Sequence, residues 1–448
     1  MKRISQGALL GTILLSSVRG FAQAPPPPPT EPPPPPPVVA APPPLPPPPP
    51  PPPEPDWKFA LHGLVGTSVY VQDTPAFVLN GQGPLLALSK PGGGFTTGAD
   101  IRTSRFNFSV AGPKVFGGAT PKAVLEIDLF GLNSPGGFGE VSVYERVRLA
   151  YAELNWGGHD ILRFGQDHEL IFAMIPEGMG HMAFPATYFN GLIGWREPGI
   201  GYFHNIPVGP GKLELAVQAI KSDWENPTDF GEPTTQDLNV DYGQLSGWVG
   251  GEARVKYTSE LLTAYVAGHY NHVEGTHAGD LFPPPAATAI PNRNWDVLAG
   301  VIGARLNLPF GLWALVSAYA GKNLGPLLGT QLQFVTTNDV SEWGGWAQLG
   351  YNITSHLNIS AVGGTSRPSE GDLVASLDRS TTASARVQSN MIGGMVRYQD
   401  GGFAIGPEFY HVNEKQVNGL DQGANAGAGA TNGNLDVNQF MLTGMYFF

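Results

Sequence analysis

The strongest constraint on this chain is a rhythm. From Trp57 onward about sixteen runs read as strands, each bounded by Gly, Pro, Asn or Asp. They fall at 57–70, 100–111, 120–131, 141–156, 159–166, 196–206, 211–221, 247–258, 260–273, 293–308, 310–323, 341–353, 355–367, 386–399, 402–414 and 435–448. The connections alternate. Short ones are Gly157-Gly158, 207–210, Thr258-Ser259, Pro309, Thr354-Ser355 and Asp400-Gly401, with 113–119 slightly longer. Long ones are 71–99, 132–140, 167–195, 222–246, 274–292, 324–340, 368–385 and 415–434. An all-β, up-and-down antiparallel barrel, with tight turns at one end and long loops at the other, requires this alternation, and a sandwich of Greek keys does not.

Side chains within the runs alternate as well, because successive residues of a strand face opposite ways. In 120–131, Ala123, Leu125, Ile127 and Leu129 oppose Lys122, Glu126 and Asp128. In 141–156, Val147, Leu149 and Tyr151 oppose Arg146 and Arg148. In 247–258, Ala253, Val255 and Tyr257 oppose Glu252, Arg254 and Lys256, and in 386–399 Ile392, Val396 and Tyr398 oppose Met391, Met395 and Arg397. In the last run, Phe440, Leu442, Gly444, Tyr446 and Phe448 share one face. That face resembles the lipid side of the closing strand of a bacterial outer-membrane barrel, with its aromatic girdle. No run beyond the N-terminus reaches about 18 consecutive apolar residues, so a membrane-spanning form of this chain is a closed barrel.

The N-terminus reads as a secretory signal over 1–24. Lys2 and Arg3 precede an apolar run at 7–18, and Ala22-Gln23-Ala24 offers the cleavage site. Residues 25–55 are almost all proline, which fixes φ and removes the amide donor. This arm is expected as a polyproline II rod on the periplasmic side, either a spacer or a docking site for a periplasmic or cell-wall partner. The barrel is expected over 56–448. The chain has no Cys and a net charge of -12. Disulfides and thiolate metal sites are thereby excluded, and no basic stripe suggests nucleic acid.

Arg105, Glu126, Asp128, Arg146, Arg148 and Arg163 sit at alternating positions on neighbouring runs, and Arg196 opens the next. On adjacent strands such residues form a ladder of both signs on a wet inner wall, where guanidinium groups attract anions. The alternative is a ladder that pairs internally and only stiffens the wall. Arg254, Lys256 and Arg397 are further wall candidates. The connection 167–195 is long, apolar and aromatic, and carries Asp167, His168, Glu169, Glu177 and His181. A segment of that kind is expected to fold into the barrel as a constriction, or else to pack against a neighbouring subunit.

Four stretches carry a family resemblance: Ala99-Asp-Ile-Arg-Thr-Ser-Arg-Phe-Asn-Phe108, Ala123-Val-Leu-Glu-Ile-Asp-Leu-Phe-Gly131, Arg146-Val-Arg-Leu-Ala-Tyr-Ala-Glu153 and Leu162-Arg-Phe-Gly-Gln166. Over about 99–206 the chain resembles the DcaP-like porins. The resemblance implies a trimeric sixteen-stranded outer-membrane channel of a Gram-negative bacterium, taking up dicarboxylates and other small anions. It implies that Arg105, Glu126, Asp128, Arg146 and Arg148 line the channel and that 167–195 constricts it. Family members carry an N-terminal coiled coil, and here the proline arm replaces it.

The expected activity is passive diffusion of small anionic or polar solutes across a lipid bilayer, with no cofactor and no covalent step. A structural anchor held by the proline arm is the alternative, and an outer-membrane hydrolase is a third reading. Asp167-His168-Glu169 gives no local metal spacing, since neighbours on an extended stretch face apart. His62, His204, His269, His272 and His277 read as wall or surface residues. The loop tip at 283–285 and the glycine–alanine loop at 423–433 carry no chemistry.

Overall fold

The computed structural model describes residues 57–74, 81–83, 94–131, 134–135, 141–142, 144–221, 246–274, 294–329, 338–376, 384–418 and 433–448. The signal, the proline arm, His277, the tip at 283–285 and the glycine–alanine loop up to 432 lie outside them. The described residues from Trp57 to Phe448 belong to one unit, the barrel.

The staves are β1 Lys58–Gln72, β2 in two pieces Thr96–Asp100 and Arg105–Ala111, β3 Thr120–Asp128, β4 Arg146–Trp156, β5 Asp160–His168, β6 Arg196–Val208, β7 Gly211–Ile220 and β8 Gly250–Thr258. They continue as β9 Leu262–Glu274, β10 Asn294–Asn307, β11 Leu312–Lys322, β12 Ser341–Asn352, β13 Leu357–Pro368, β14 Ser384–Asp400, β15 Phe403–Asn418 and β16 Gly433–Phe447. Both pieces of β2 pair with β1, so they count as one stave of sixteen. Each stave is antiparallel to its neighbours in chain order. The ring closes where β1 pairs with β16, from Leu64 opposite Phe447 to Gln72 opposite Gln439. Closure leaves no unpaired sheet edge, which hydrocarbon would not tolerate.

The faces are inside out relative to a soluble protein. Val65, Val69, Leu125, Ile200, Val217, Val266, Ile302, Leu349, Ile392, Ile405 and Leu442 are exposed on the outer wall, while Ser68, Glu126, Asp128, Gln218, Glu252, Ser389, Glu408, Gln439 and Thr443 are buried inside. Exposed aromatics gather near the tight-turn end, among them Phe59, Phe310, Phe403, Tyr446 and Phe448, as a girdle at a membrane boundary does. Among the described residues no helix is long and apolar enough to cross a membrane. Ile392 is 62% exposed at the middle of β14. Ile392→Arg is expected to lower folding stability in lipid vesicles by about 2–4 kcal/mol, read by urea titration. A neutral result would mean that this wall does not face hydrocarbon.

Three expectations need correction. β4 begins at Arg146 and not at 141, because Val141–Ser142 pairs with Ser134–Pro135 in a separate short hairpin. β2 is broken at 101–104, where the Asp100 carboxylate accepts from the Arg102 backbone N–H and the Ser104 N–H donates to the Ile101 carbonyl. Leu149 and Tyr151 do not share the face of Val147. A bulge puts Glu126 opposite Leu149 but Ile127 opposite Val147, so Arg148 is an extra residue. One inserted residue reverses the parity of everything after it. Leu149 is therefore buried, and Tyr151 turns inward beneath the Arg163 guanidinium.

Candidate functional site

The interior has two chemically different sectors. On β10 to β12 the inner face is largely apolar, as the outer one is. Trp295, Val297, Ala299, Val301, Trp313, Leu315 and Trp346 are buried inside, while Leu298, Ile302, Val316 and Leu349 face out. An apolar inner wall needs an apolar cover, and the segment joining β5 to β6 supplies it. Ile171 and Ile193 pack on the β9 to β11 wall, and Tyr188, Phe189 and Leu192 pack on Trp313, Leu315 and Trp346. Met179 meets Met395 and Met445. The segment thus crosses the barrel interior and packs on inner-wall side chains.

Polar contacts fix its course. The Glu169 N–H donates to the Trp195 carbonyl at 3.0 Å, and the Trp195 N–H to Glu169 Oε2 at 2.6 Å, which closes the neck. Glu177 exchanges two backbone bonds with the Gln348 amide, 2.7 and 2.8 Å long. Its carboxylate reaches Arg305 at 2.8 Å and Arg397 at 3.6 Å. The Met179 and Gly180 N–H groups donate to Glu408, and His181 Nε2 lies 2.6 Å from Gln439 Oε1. Gly191 sits at φ 115°, and a Cβ there would lie 2.2 Å from the Gly345 carbonyl oxygen, so no larger residue fits this approach.

The other sector is charged. β2, β3 and β4 bring Arg105, Glu126, Asp128, Arg146 and Arg148 together. Arg148 binds Glu126 at 2.7 Å and Asp128 at 3.0 Å, Arg146 binds Asp128 at 2.6 Å, and Arg105 lies 3.6 Å from Glu126. Arg196 stands beside them. Its guanidinium lies 3.8 Å from the Trp195 ring centroid, on a ring that Arg146 also approaches at 5.3 Å. Among the described residues no carboxylate pairs with Arg196, and its Nη2 is buried without a hydrogen bond. Four guanidinium groups therefore stand around two carboxylates, three of them paired with one or both. Phe184 of the crossing segment and Phe130 cover the Arg146 guanidinium at 4.6 and 5.5 Å, so the segment packs onto this wall as well.

The remaining candidates do not join that group. Arg163 pairs with Glu153 at 2.6 Å and also with Asp167. Arg254 pairs with Glu214 at 2.8 Å and donates to the Leu170 carbonyl, while Lys256 is the next inward residue of β8. Arg397 meets only Glu177 among the described ion pairs. His168 stacks on Phe172. Glu169 turns away from Asp167 and His168 to meet Glu252 and His269, so His269 is more than a wall residue. Its burial, then Glu252 and Glu197, holds the Glu169 carboxyl well above the usual carboxylate range. Sequence reasoning missed Arg102, Glu153, Glu214, Arg305, Gln348 and Glu408. Arg305, Gln348 and Glu408 meet the crossing segment, whose course periodicity does not record. Arg102 pairs with Asp100 in the break of β2, and Glu153 and Glu214 pair with Arg163 and Arg254 on adjacent strands, where alternation could have found them.

No family model matches the sequence, and no curated protein matches it. The fold does match solved structures. The outer-membrane channel DcaP of Acinetobacter baumannii superposes with a TM-score of 0.61 at 15% identity, covering 88% of this chain and 97% of that one. An anion-selective porin from Comamonas acidovorans gives 0.52 at 14% identity, covering 88% and 100%. OmpF of Salmonella typhi, solved with daunomycin, gives 0.52 at 12% identity, covering 88% and 98%. The sixteen-stranded barrel implied by the resemblance to the DcaP-like porins is the fold found.

Proposed function

We propose that this chain is a porin of the outer membrane of a Gram-negative bacterium, passing small hydrophilic solutes by diffusion and favouring anions such as carboxylates. The observation that carries this reading is the division of the interior. The crossing segment covers the apolar sector, and one patch of the polar lining, on β2 to β4 with Arg196, holds four guanidinium groups against two carboxylates. A positive patch on the wall of a narrow lumen raises the local concentration of anions and opposes cations. Further cations, Lys212, Lys256, Arg305 and Arg397, stand on inward positions toward the tight-turn end. In this reading 167–195 is the constriction, the barrels associate as a homotrimer, and the proline arm lies in the periplasm, which tight turns face in barrels of this class.

Purified protein in planar bilayers is expected to give stepwise currents whose reversal potential in a KCl gradient reports anion over cation permeability. Organic anions should pass more readily than organic cations of equal size. Steps with no ion preference would remove the selectivity and keep the channel. The absence of any steps would remove both.

A further inference from the structure

We propose that Glu169, Glu252 and His269 form a binding site for a divalent cation of the zinc class, pinning the neck of the crossing segment to the barrel wall. Glu252 and His269 are cross-strand partners on β8 and β9, so their side chains leave the same face. Glu169 comes from the crossing segment, one residue beyond β5. His269 Nδ1 lies 3.0 Å from Glu252 Oε1 and 3.8 Å from Glu169 Oε1, and the three donor atoms all lie within 4.8 Å of one another. A tetrahedral zinc ion with bonds near 2.0–2.1 Å sets its ligands roughly 3.3 Å apart, so small shifts would seat one.

The surroundings support a ligand set rather than a chance meeting of acids. Each carboxylate has its outer oxygen held by the segment's own backbone. The Leu170 N–H donates to Glu252 Oε2, and the Trp195 N–H donates to Glu169 Oε2. Such anchoring aims the inner oxygens at one point, as outer-shell partners of metal ligands do. The Glu169 Oε1 atom takes no hydrogen bond from any described residue, in a side chain that is 1% exposed and aimed at His269. No Lys or Arg forms an ion pair with Glu169 or Glu252 among the described residues.

One imidazole with two carboxylates, all three buried, suits zinc, with its fourth position open to water. The site does not depend on which solutes cross the barrel.

The test uses full-length protein folded in detergent, stripped with EDTA, loaded with Zn²⁺ and passed through a desalting column. Wild type is expected to retain about one zinc more per chain than Glu252→Gln or His269→Gln. Heat-modifiable gel mobility shows that each variant keeps its barrel. Co²⁺-loaded wild type should show visible ligand-field bands, a readout that needs no variant. Equal zinc content in all three proteins, or a colourless cobalt form, overturns the site.

Discussion

Gly191→Leu is expected to raise single-channel conductance several-fold while the barrel stays folded. The reason is steric. At Gly191 the crossing segment touches β12 and β13 by backbone alone, and an added Cβ would meet the Gly345 oxygen at 2.2 Å and the Thr365 oxygen at 3.1 Å. Its φ of 115° also disfavours any side chain. The bulky residue must lift the segment from the wall, and Asn190, which accepts from Ser389 Oγ at 2.6 Å, goes with it. Strand pairing around the ring does not involve Asn190 or Gly191, so the barrel should persist. The measurements are current per step in planar bilayers and uptake of larger sugars into proteoliposomes. Unchanged conductance in a folded variant would mean that the segment does not limit the path.

Reversing Arg146 and Arg148 together to Glu is expected to invert the ion preference. Wild type has four guanidinium groups against two carboxylates on this wall, and the double variant has two against four. The reversal potential in a KCl gradient should change sign. The variant also breaks buried pairs, at about 3–5 kcal/mol for an uncompensated charge. Arg146→Gln with Arg148→Gln therefore serves as a milder companion, expected to bring the potential toward zero. Reversal potentials identical to wild type in both folded variants would mean that the ladder only braces the wall.

The charged wall shows how far a local pattern reaches. Arg105, Glu126, Asp128, Arg146 and Arg148 were legible because they stand at alternating positions on adjacent strands, where lateral neighbours follow from chain order. Their pairing partners were not all legible. The bulge at Arg148 moves Leu149 and Tyr151 inward, and a period of two carries no mark of one inserted residue. Arg196 was read as the first residue of its strand, but its stacking on Trp195 depends on how the crossing segment returns to the wall.

Sequence by itself determined the architecture: sixteen amphipathic staves, alternate tight and long connections, an apolar exterior with aromatic ends, and one long apolar segment that needed a covered surface. Each of these is a property of residues near one another in the chain, so periodicity and turn chemistry record it. Only the tertiary structure decided what meets across the interior. It set Ile171 and Ile193 on the β9 to β11 wall, the Glu177 carboxylate between Arg305 and Arg397, and Glu169 beside Glu252 and His269. The physical reason is that closing a ring brings distant strands face to face at a separation fixed by strand number and tilt, and no stretch of sequence encodes that distance.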